Sequence, residues 1–203
     1  MLINEVSENY SQANQDLFVL KVLDFKRNGT YLEIGANEPI SLSNTYLLEK
    51  NFDWTGYSIE LKQDLVDHFN RERKNICECA DATLTDYRKI LQENFTDTRL
   101  DYLSVDIEPA SNTFAALASI PLSEYRFSVI TFEHDSYNYG QTYKQKAKEL
   151  LESHGYTLVV EDVKNAGNPF EDWYVDSTYV NEEKYLELKS SGLEYNEIIR
   201  LDK

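Results

Sequence analysis

The fold of this chain is decided by residues 30–39, which read TYLEIGANEP. The mainly apolar run 31–34 is typical of a buried strand. Gly35 ends that run at a point where the backbone turns tightly or approaches a ligand. Helical spacing follows over residues 42–52. A strand, one glycine and a helix form the first half of a nucleotide-binding βαβ unit, in which the ligand lies beyond the carboxyl end of the strand. The full GxGxxG fingerprint is absent, so a turn made for structural reasons alone stays the alternative.

The same alternation of strands and helices continues outward from this stretch. Apolar runs predict strands at 31–34, 56–59, 76–79, 100–107, 127–132, 156–160 and 173–175. Helical spacing predicts helices at 15–25, 42–52, 61–73, around 87–91 with Thr85 as the N-cap, at 114–120 and at 143–153. We therefore predict an α/β protein with one doubly wound, mostly parallel sheet. Residues 1–203 form a single domain in this prediction, with 1–28 as a helical lead-in and 178–203 as a C-terminal tail.

The charge balance of the chain limits the classes of partner. Lys and Arg number 20 against 36 Asp and Glu, which gives a formal net charge of -16. Such a charge repels phosphate backbones, so we expect no nucleic-acid partner and no anionic membrane surface. No apolar run approaches the ~18 residues that cross a bilayer, and the first ten residues carry no Lys or Arg. We expect a cytoplasmic protein; its oligomeric state stays open.

Acidic residues lie at the carboxyl ends of successive predicted strands. They are Glu33, Glu60, Asp81, Asp106 with Glu108, and Glu133 with Asp135. Because ligands bind at the carboxyl edge of such sheets, these acids are expected to surround one site. Glu60 lies 25 positions after Gly35, close to the ~20-residue offset at which an acid meets the ribose hydroxyls of a nucleotide. A single acid at a strand end is usually only solvated, whereas five strand ends in a row indicate a binding site.

With these residues in view, the chain resembles the class I S-adenosylmethionine-dependent methyltransferases and, more narrowly, the FkbM family. The resemblance is carried by segments 33–37, 43–45, 58–60, 106–108, 132–135 and 170–175, with Ser11-Gln12 and Gln15-Asp16 near the start. It implies the Rossmann-like methyltransferase fold. The chain departs from the family at Glu38-Pro39, because many relatives have glycine after the acid and Pro39 removes an amide donor.

The resemblance implies a set of residues that bind S-adenosylmethionine. These are Glu33, Gly35, Ala36, Asn37, Asn44, Glu60, Asp81, Ala82 and Asp106. Glu33 and the backbone around Gly35 would face the amino-acid half of the cofactor, and Glu60 would accept from both ribose hydroxyls. Asp81 and the Ala82 amide would meet the adenine edge. Asp106 would lie between the cofactor and the methyl acceptor.

The acceptor implied is a hydroxyl oxygen of a small molecule or a glycan. A hydroxyl is a poor nucleophile, so a general base helps, and His134 is the first candidate with Asp106 and Glu108 as alternatives. A purely structural histidine at a strand end is the competing interpretation of His134. A divalent metal held by Asp106, Glu108, His134 and Asp135 is a further, less favoured hypothesis.

Two other functions stay open from the sequence. One is a non-catalytic cofactor-binding or scaffold protein on the same fold. The other is a nicotinamide-dependent oxidoreductase, which the absent GxGxxG and the lack of a Tyr-x-x-x-Lys pair placed for hydride chemistry disfavour.

Overall fold

Strands and helices alternate through most of the chain, which a computed structural model describes over residues 6–201. The strands are β1 (Thr30–Ile34), β2 (Thr55–Glu60), β3 (Ile76–Cys79), β4 (Arg99–Val105), β5 (Arg126–Glu133), β6 (Tyr156–Asn165), β7 (Asn168–Asp176) and β8 (Ser190–Ser191). The helices are α1 (Gln15–Val22), α2 (Tyr46–Phe52), α3 (Gln63–Glu72), α4 (Tyr87–Asn94), α5 (Ala110–Ser119), α6 (Ser136–Tyr139), α7 (Thr142–Ser153), α8 (Glu182–Leu186) and α9 (Tyr195–Ile198). Residues 1–5 of the predicted lead-in and 202–203 of the predicted tail lie outside the described residues.

The strands form one sheet in the order β3-β2-β1-β4-β5-β7-β6-β8. Strands β1 to β5 pair in parallel, and β7 runs antiparallel to both of its neighbours. Parallel neighbours need crossover helices, and these helices cover the two faces of the sheet. The predicted single-domain α/β fold with a doubly wound, mostly parallel sheet is confirmed. Every helix within residues 6–201 falls short of the length and apolarity that a bilayer crossing demands.

The parallel register aligns the carboxyl ends of β1, β2, β4 and β5 at one edge of the sheet. Ile34 of β1 pairs with Ile59 of β2 and with Val105 of β4, and Val105 pairs with Phe132 of β5. The residue that follows each of these four positions therefore emerges at the same edge of the sheet. Hydrogen bonds extend the pairing by one step, since the Gly35 amide donates to the Ile59 carbonyl at 2.9 Å.

Several predicted elements need correction. The helix predicted from residue 42 begins only at Tyr46, because Leu42 has a positive φ of 60° that a helix does not accept. The apolar stripe predicted for α3 is wrong at Leu61, which precedes the helix and is 67 % exposed, whereas Val66 is buried. The predicted N-cap Thr85 is also wrong, because the side chain of Asp86 accepts the Lys89 amide and caps α4.

The last long strands form a hairpin that sequence analysis missed. Strands β6 and β7 are ten and nine residues long and antiparallel. Ala166 and Gly167 connect them with φ values of 52° and 83°. Positive φ at both central residues is the geometry of a type I′ turn, which matches the twist of hairpin strands.

The N-terminal segment belongs to the same core as the end of the chain. The Phe18 ring on α1 packs on Trp173 of β7 with ring centroids 4.6 Å apart. Gln15 Nε2 donates to Glu171 Oε2 at 2.9 Å, and Asn14 Nδ2 donates to the Ile199 carbonyl at 2.7 Å. Helix α1 is therefore held by partners more than 150 positions away in the sequence.

A buried arginine joins the loop after β1 to its surroundings. Arg73, directly after α3, has no exposed side-chain surface. Its guanidinium donates to Glu49 Oε2 at 2.8 Å and lies over the Phe69 ring, 4.6 Å from the centroid. The remaining acceptors are the Pro39 carbonyl at 2.9 Å, Ser43 Oγ at 3.2 Å, Thr45 Oγ1 at 3.0 Å and Tyr31 Oη at 3.1 Å. A guanidinium has five N–H donors, so this group is fully satisfied.

We expect Arg73→Met to lower the free energy of unfolding by about 3–5 kcal/mol, because the variant leaves Glu49 as a buried carboxylate without its cation. Arg71→Met, two residues earlier and exposed, is the matched control and should change stability by less than about 0.5 kcal/mol. Urea denaturation followed by circular dichroism measures both. Equal unfolding midpoints for the two variants would contradict the importance of this network.

Candidate functional site

A cavity of about 520 Å³ opens at the carboxyl ends of β1 to β5. Its volume falls within the roughly 300–1,000 Å³ of small-molecule sites. Its walls include residues at or just after the end of each of these strands, among them Gly35, Glu60, Asp81, Asp106 and Glu133. The structure therefore brings the acids predicted from the strand ends to one place. All nine residues predicted to bind the cofactor line this cavity: Glu33, Gly35, Ala36, Asn37, Asn44, Glu60, Asp81, Ala82 and Asp106.

Gly35 allows two strand ends to meet beneath the cavity. Its φ is +88°, and a Cβ at this position would lie 1.8 Å from the Asp106 carbonyl oxygen. Any other residue would push the loops after β1 and β4 apart. The tight strand-to-helix turn expected from the sequence is thus built with this single glycine.

Glu33 is held inside the protein by hydroxyl donors. Thr45 Oγ1 donates to Glu33 Oε1 at 3.0 Å and Ser58 Oγ donates to Oε2 at 2.7 Å. Burial raises the pKa of Glu33 to about 7, while the positive charge of Arg73 and these hydrogen bonds oppose the rise. Because Thr45 also accepts from Arg73, the carboxylate and the loop after β1 share one hydrogen-bond network.

Glu60 closes the loop over the end of β2. Its Oε2 accepts the Asn37 amide at 3.0 Å and its Oε1 accepts the Lys62 amide at 2.9 Å. Asn37 reaches this contact with a positive φ of 49°, which asparagine adopts more readily than most residues. Each carboxylate oxygen has two lone pairs, so both can accept a further hydrogen bond from a ligand.

Asp81 is fixed by the turn that follows β3. Its Oδ1 accepts the Thr83 amide at 2.9 Å and Thr83 Oγ1 at 2.7 Å, and these bonds hold the pKa of Asp81 below its usual range. Ala82 lines the cavity beside it. Asp81 is therefore an ionised acceptor next to a backbone amide. Together they can bind the edge of an aromatic ring that carries an amide or amine group.

Asn44 lines the cavity and carries a buried acceptor atom that lacks a partner. Its Nδ2 donates to Ser104 Oγ of β4 at 3.0 Å, and the side chain is only 5 % exposed. Its Oδ1 has no hydrogen-bond partner among residues 6–201. Buried polar atoms are normally paired, so this oxygen points to a ligand that supplies an N–H or O–H donor.

The opposite side of the cavity, called the β4–β5 wall here, consists of Asp106, Ile107, Glu108, Asn112, Glu133, Asp135 and Tyr137. Burial raises the pKa of Glu133 to about 12, and the adjacent charge of Asp106 adds to this rise. Burial also raises the pKa of Asp106 to about 6, while its hydrogen bond with Glu133 opposes the rise. Near pH 7, Glu133 therefore holds the proton of this pair and Asp106 is the ionised partner.

His134 does not face the cavity. It is fully buried, is not among the cavity-lining residues, and its Nε2 lies 3.3 Å from Asp172 Oδ1. Side chains alternate along an extended chain, so Glu133 and Asp135 face the cavity while His134 between them points the other way. This placement does not support His134 as the general base, and the structural interpretation fits it better.

The predicted metal set is not assembled either, because His134 is turned away from Asp106, Glu108 and Asp135. Among the residues that the structure describes, ligand atoms of His134, Asp162 and Asp172 do approach within 4.8 Å of one another. The Ser136 amide donates to His134 Nδ1 at 3.0 Å, so Nε2 of the neutral ring carries the proton and offers no lone pair. Lys144 Nζ, 2.8 Å from Asp162 Oδ2, already supplies a positive charge.

Sequence reasoning missed how the N-terminal segment completes the site. Ser11 forms an isolated parallel bridge with Leu42, and both Gln12 and Leu42 line the cavity. Asp16 holds this segment by accepting Ser11 Oγ at 2.6 Å and the Tyr10 amide at 2.9 Å. In the sequence, Ser11-Gln12 and Gln15-Asp16 are only part of the resemblance, whereas their contacts in the structure show that they hold the N-terminal segment in place.

Solved structures of similar fold are methyltransferases. A putative rRNA methylase from Clostridium thermocellum superposes with a TM-score of 0.56 at 11% identity, covering 84% of this chain and 97% of that chain. An O-methyltransferase from Bacillus cereus in complex with S-adenosylhomocysteine gives 0.55 at 16% identity, covering 84% and 83%. The N-methyltransferase NodS from Bradyrhizobium japonicum WM9 gives 0.52 at 12% identity, covering 79% and 92%.

These comparisons define the class of fold. The chain has the Rossmann-like fold of the class I S-adenosylmethionine-dependent methyltransferases. No family model and no curated protein matches the sequence, so membership of the FkbM family is not confirmed. Identities of 11% to 16% show the fold and leave the acceptor open.

A buried acid beneath the site predicts how stability depends on pH. Glu171 Oε2 accepts Gln15 Nε2 at 2.9 Å and Trp173 Nε1 at 2.6 Å, while its Oε1 has no partner in the described part of the chain. Burial raises the pKa of Glu171 to about 8, against about 4.3 in an unfolded chain. Between these values the folded state holds more protons, so the contribution to stability is full below pH ~4.3 and is lost as pH rises through about 8.

We therefore expect a lower melting temperature at pH 9 than at pH 5.5, and we expect Glu171→Gln to raise the melting temperature at pH 9 and flatten this dependence. Glu149→Gln on the exposed side of α7 is the matched control, since it removes the same charge without burial. Differential scanning fluorimetry across the pH range measures the three proteins. Parallel curves for Glu171→Gln and the wild type would contradict the expectation.

Proposed function

We propose that this chain is an S-adenosylmethionine-dependent methyltransferase that methylates a hydroxyl oxygen of a small molecule or a glycan. The observation that carries the proposal is the cavity itself, in which Glu60, Asp81 and the Gly35 loop follow three neighbouring parallel strands. The similar solved structures, one of them an O-methyltransferase with S-adenosylhomocysteine, have the same fold and support the choice of cofactor.

The residues of the cavity suit the chemistry of this cofactor. Glu60 would accept from the ribose hydroxyls with its remaining lone pairs, and Asp81 and Ala82 would meet the adenine edge. Asn44 Oδ1, which lacks a donor in the described residues, would accept from the ammonium group. The carboxylate end would meet the backbone at Ala36 and Asn37, next to Glu33.

When bound, S-adenosylmethionine would supply an activated methyl group, whose C–S bond is exchanged for a C–O bond to the acceptor with S-adenosylhomocysteine as the leaving group. Asp106 would take the hydroxyl proton of the acceptor. Its pKa of about 6 leaves it ionised at neutral pH and close to the range in which a general base works best. Glu108, on the same wall, stays the alternative base.

Two alternatives are less well supported. A nicotinamide-dependent oxidoreductase would need a Tyr-x-x-x-Lys pair at the cavity. Tyr46 and Lys50 have that spacing but lie on α2, outside the cavity lining, where Lys50 Nζ contacts Glu8 at 3.2 Å. A non-catalytic cofactor-binding protein would share the cofactor residues, and the proton-sharing Asp106–Glu133 pair favours an enzyme over it. The cytoplasmic location and the absence of membrane binding stay predictions.

Calorimetric titration with S-adenosylhomocysteine and with NAD tests the proposal. We expect S-adenosylhomocysteine to bind. Glu60→Ala should weaken this binding at least about tenfold, because losing a charged hydrogen-bond partner of two hydroxyls costs roughly 1.5–3 kcal/mol of binding free energy. Asp64→Ala, an exposed acid on α3 outside the cavity lining, is the matched control and should bind like the wild type. No binding of S-adenosylhomocysteine, or binding of NAD in its place, would refute the proposed function.

RNA is the competing class of acceptor, because one protein of similar fold is a putative rRNA methylase. The net charge of -16 opposes it, since affinity for nucleic acids depends on cations that neutralise phosphates. We expect no shift of labelled RNA or DNA in a gel at 50 mM or 200 mM salt. A complex that forms at the lower salt and dissociates at the higher would assign the acceptor to nucleic acid.

A further inference from the structure

The β4–β5 wall has no counter-charge of its own. Asp106, Glu108, Glu133 and Asp135 contribute four carboxyl groups to it, and the only basic residue lining the cavity of the described chain, Lys62, follows β2 on the other side. Asp106 and Glu133 share one proton near pH 7, so the wall stays acidic. The cofactor proposed above does not use Glu108, Glu133 or Asp135.

Two of these carboxyl groups are buried without a cation beside them. Glu133 is 8 % exposed and Asp135 is 7 % exposed, and both line the cavity. Their hydrogen bonds come from carboxyl groups of the same wall, and no Lys or Arg among residues 6–201 forms an ion pair with them. Buried carboxylates are normally paired with a cation, so the missing counter-charge is expected from a ligand.

Tyr137 adds an aromatic ring at the mouth of the cavity. Its side chain is 53 % exposed and follows Asp135 by two positions at the start of α6. Its side chain lines the same cavity as Asp135, Glu133 and Glu108, and the charges of these acids raise the pKa of Tyr137. Carboxylates with an aromatic face form the environment that ammonium groups prefer, whereas an anionic ligand would be repelled.

We propose that the methyl acceptor carries a protonated amine, which Asp135 and Glu108 bind beside Tyr137 while Asp106 meets the hydroxyl to be methylated. This assignment rests on the proposed function. An amine group has only N–H donors, and the β4–β5 wall offers acceptors from Glu108, Glu133 and Asp135. Amino alcohols, amino sugars and aminoalkyl phenols are acceptors of this chemistry, and carboxylated or phosphorylated hydroxyl compounds are excluded.

Two matched sets of probes test the charge preference. The first is tyramine, 4-ethylphenol and 4-hydroxyphenylacetate, and the second is cyclohexylmethylamine, cyclohexylmethanol and cyclohexanecarboxylate. Dissociation constants are measured by ligand-observed NMR, with the protein saturated with S-adenosylhomocysteine and again without it. We expect the amine of at least one set to bind about tenfold or more tightly than its neutral analogue, and the carboxylate to bind most weakly.

Substitutions test which residues of the β4–β5 wall cause the preference for amines. Glu108→Gln and Asp135→Asn should each weaken the amine about tenfold while leaving the neutral analogue and S-adenosylhomocysteine unchanged; Tyr137→Leu should weaken the amine several-fold. Glu149→Gln on α7 is the control for loss of a distant acid and should change neither. Circular dichroism melting shows that each variant is folded, and Glu108→Gln, at an exposed position, keeps the test valid if Asp135→Asn unfolds.

The outcomes separate this inference from the proposed function. If S-adenosylhomocysteine binds but the amine and neutral probes have equal affinity, the amine assignment alone is overturned. The same holds if the carboxylate probes bind more tightly than the amines. Displacement of the amines by Mg²⁺ or Mn²⁺ at low millimolar concentration overturns it in favour of a metal site. An amine preference without any binding of S-adenosylhomocysteine overturns the acceptor role and refutes the proposed function.

Discussion

The buried guanidinium of Arg73 is the interaction on which the site depends most. Its five donors are used by groups from β1, the loop after β1 and α2, so one side chain ties this loop and α2 to a central strand of the sheet. Thr45 passes this constraint on to Glu33, since it accepts from the guanidinium and donates to the carboxylate. Arginine suits this position because its donors form a rigid planar fork, whereas a lysine would offer one flexible point charge.

The β4–β5 wall, on the opposite side of the cavity, carries charges that are not balanced within the protein. The loop after β1 is rich in satisfied hydrogen bonds, while the β4–β5 wall carries carboxyl groups that bond mainly to one another. Such an unpaired cluster costs folding free energy, and a bound cation would recover it. The cavity therefore has one side whose polar groups are hydrogen-bonded within the protein and one acidic side that lacks a counter-charge.

The strand ends could be predicted from the sequence because buried parallel strands are continuous apolar runs and their last residues must meet at one edge. That argument placed Glu60, Asp81 and Asp106 correctly at the cavity. It failed at His134, where the position at the strand end was right but the alternation of side chains turned the ring into the protein. The role of Glu171 could not be predicted from the sequence, because its hydrogen-bond donor Gln15 is 156 positions away.

The late start of α2 and the antiparallel insertion of β7 were missed for a related reason. The positive φ of Leu42 accompanies a bridge to Ser11, and no local propensity reports such a contact. Only residues 173–175 of β7 form an apolar run, and this run does not reveal that the strand lies between β5 and β6 and is antiparallel to both. Strand direction depends on the connection between β6 and β7, where the two-residue turn at Ala166 and Gly167 is a weak signal in the sequence.

The packing of α1 on β7 also bears on how the chain folds as it leaves the ribosome. Helix α1 is made early and buries nearly all of its residues, yet its aromatic and polar partners Trp173 and Glu171 are made about 155 residues later. At roughly 5–20 residues per second, that interval is on the order of ten to thirty seconds. During this time the apolar surface of α1 has no native partner on β7, which is the kind of surface that general chaperones bind. The cavity, whose rim includes Gln12, is therefore among the last parts of the molecule to be completed.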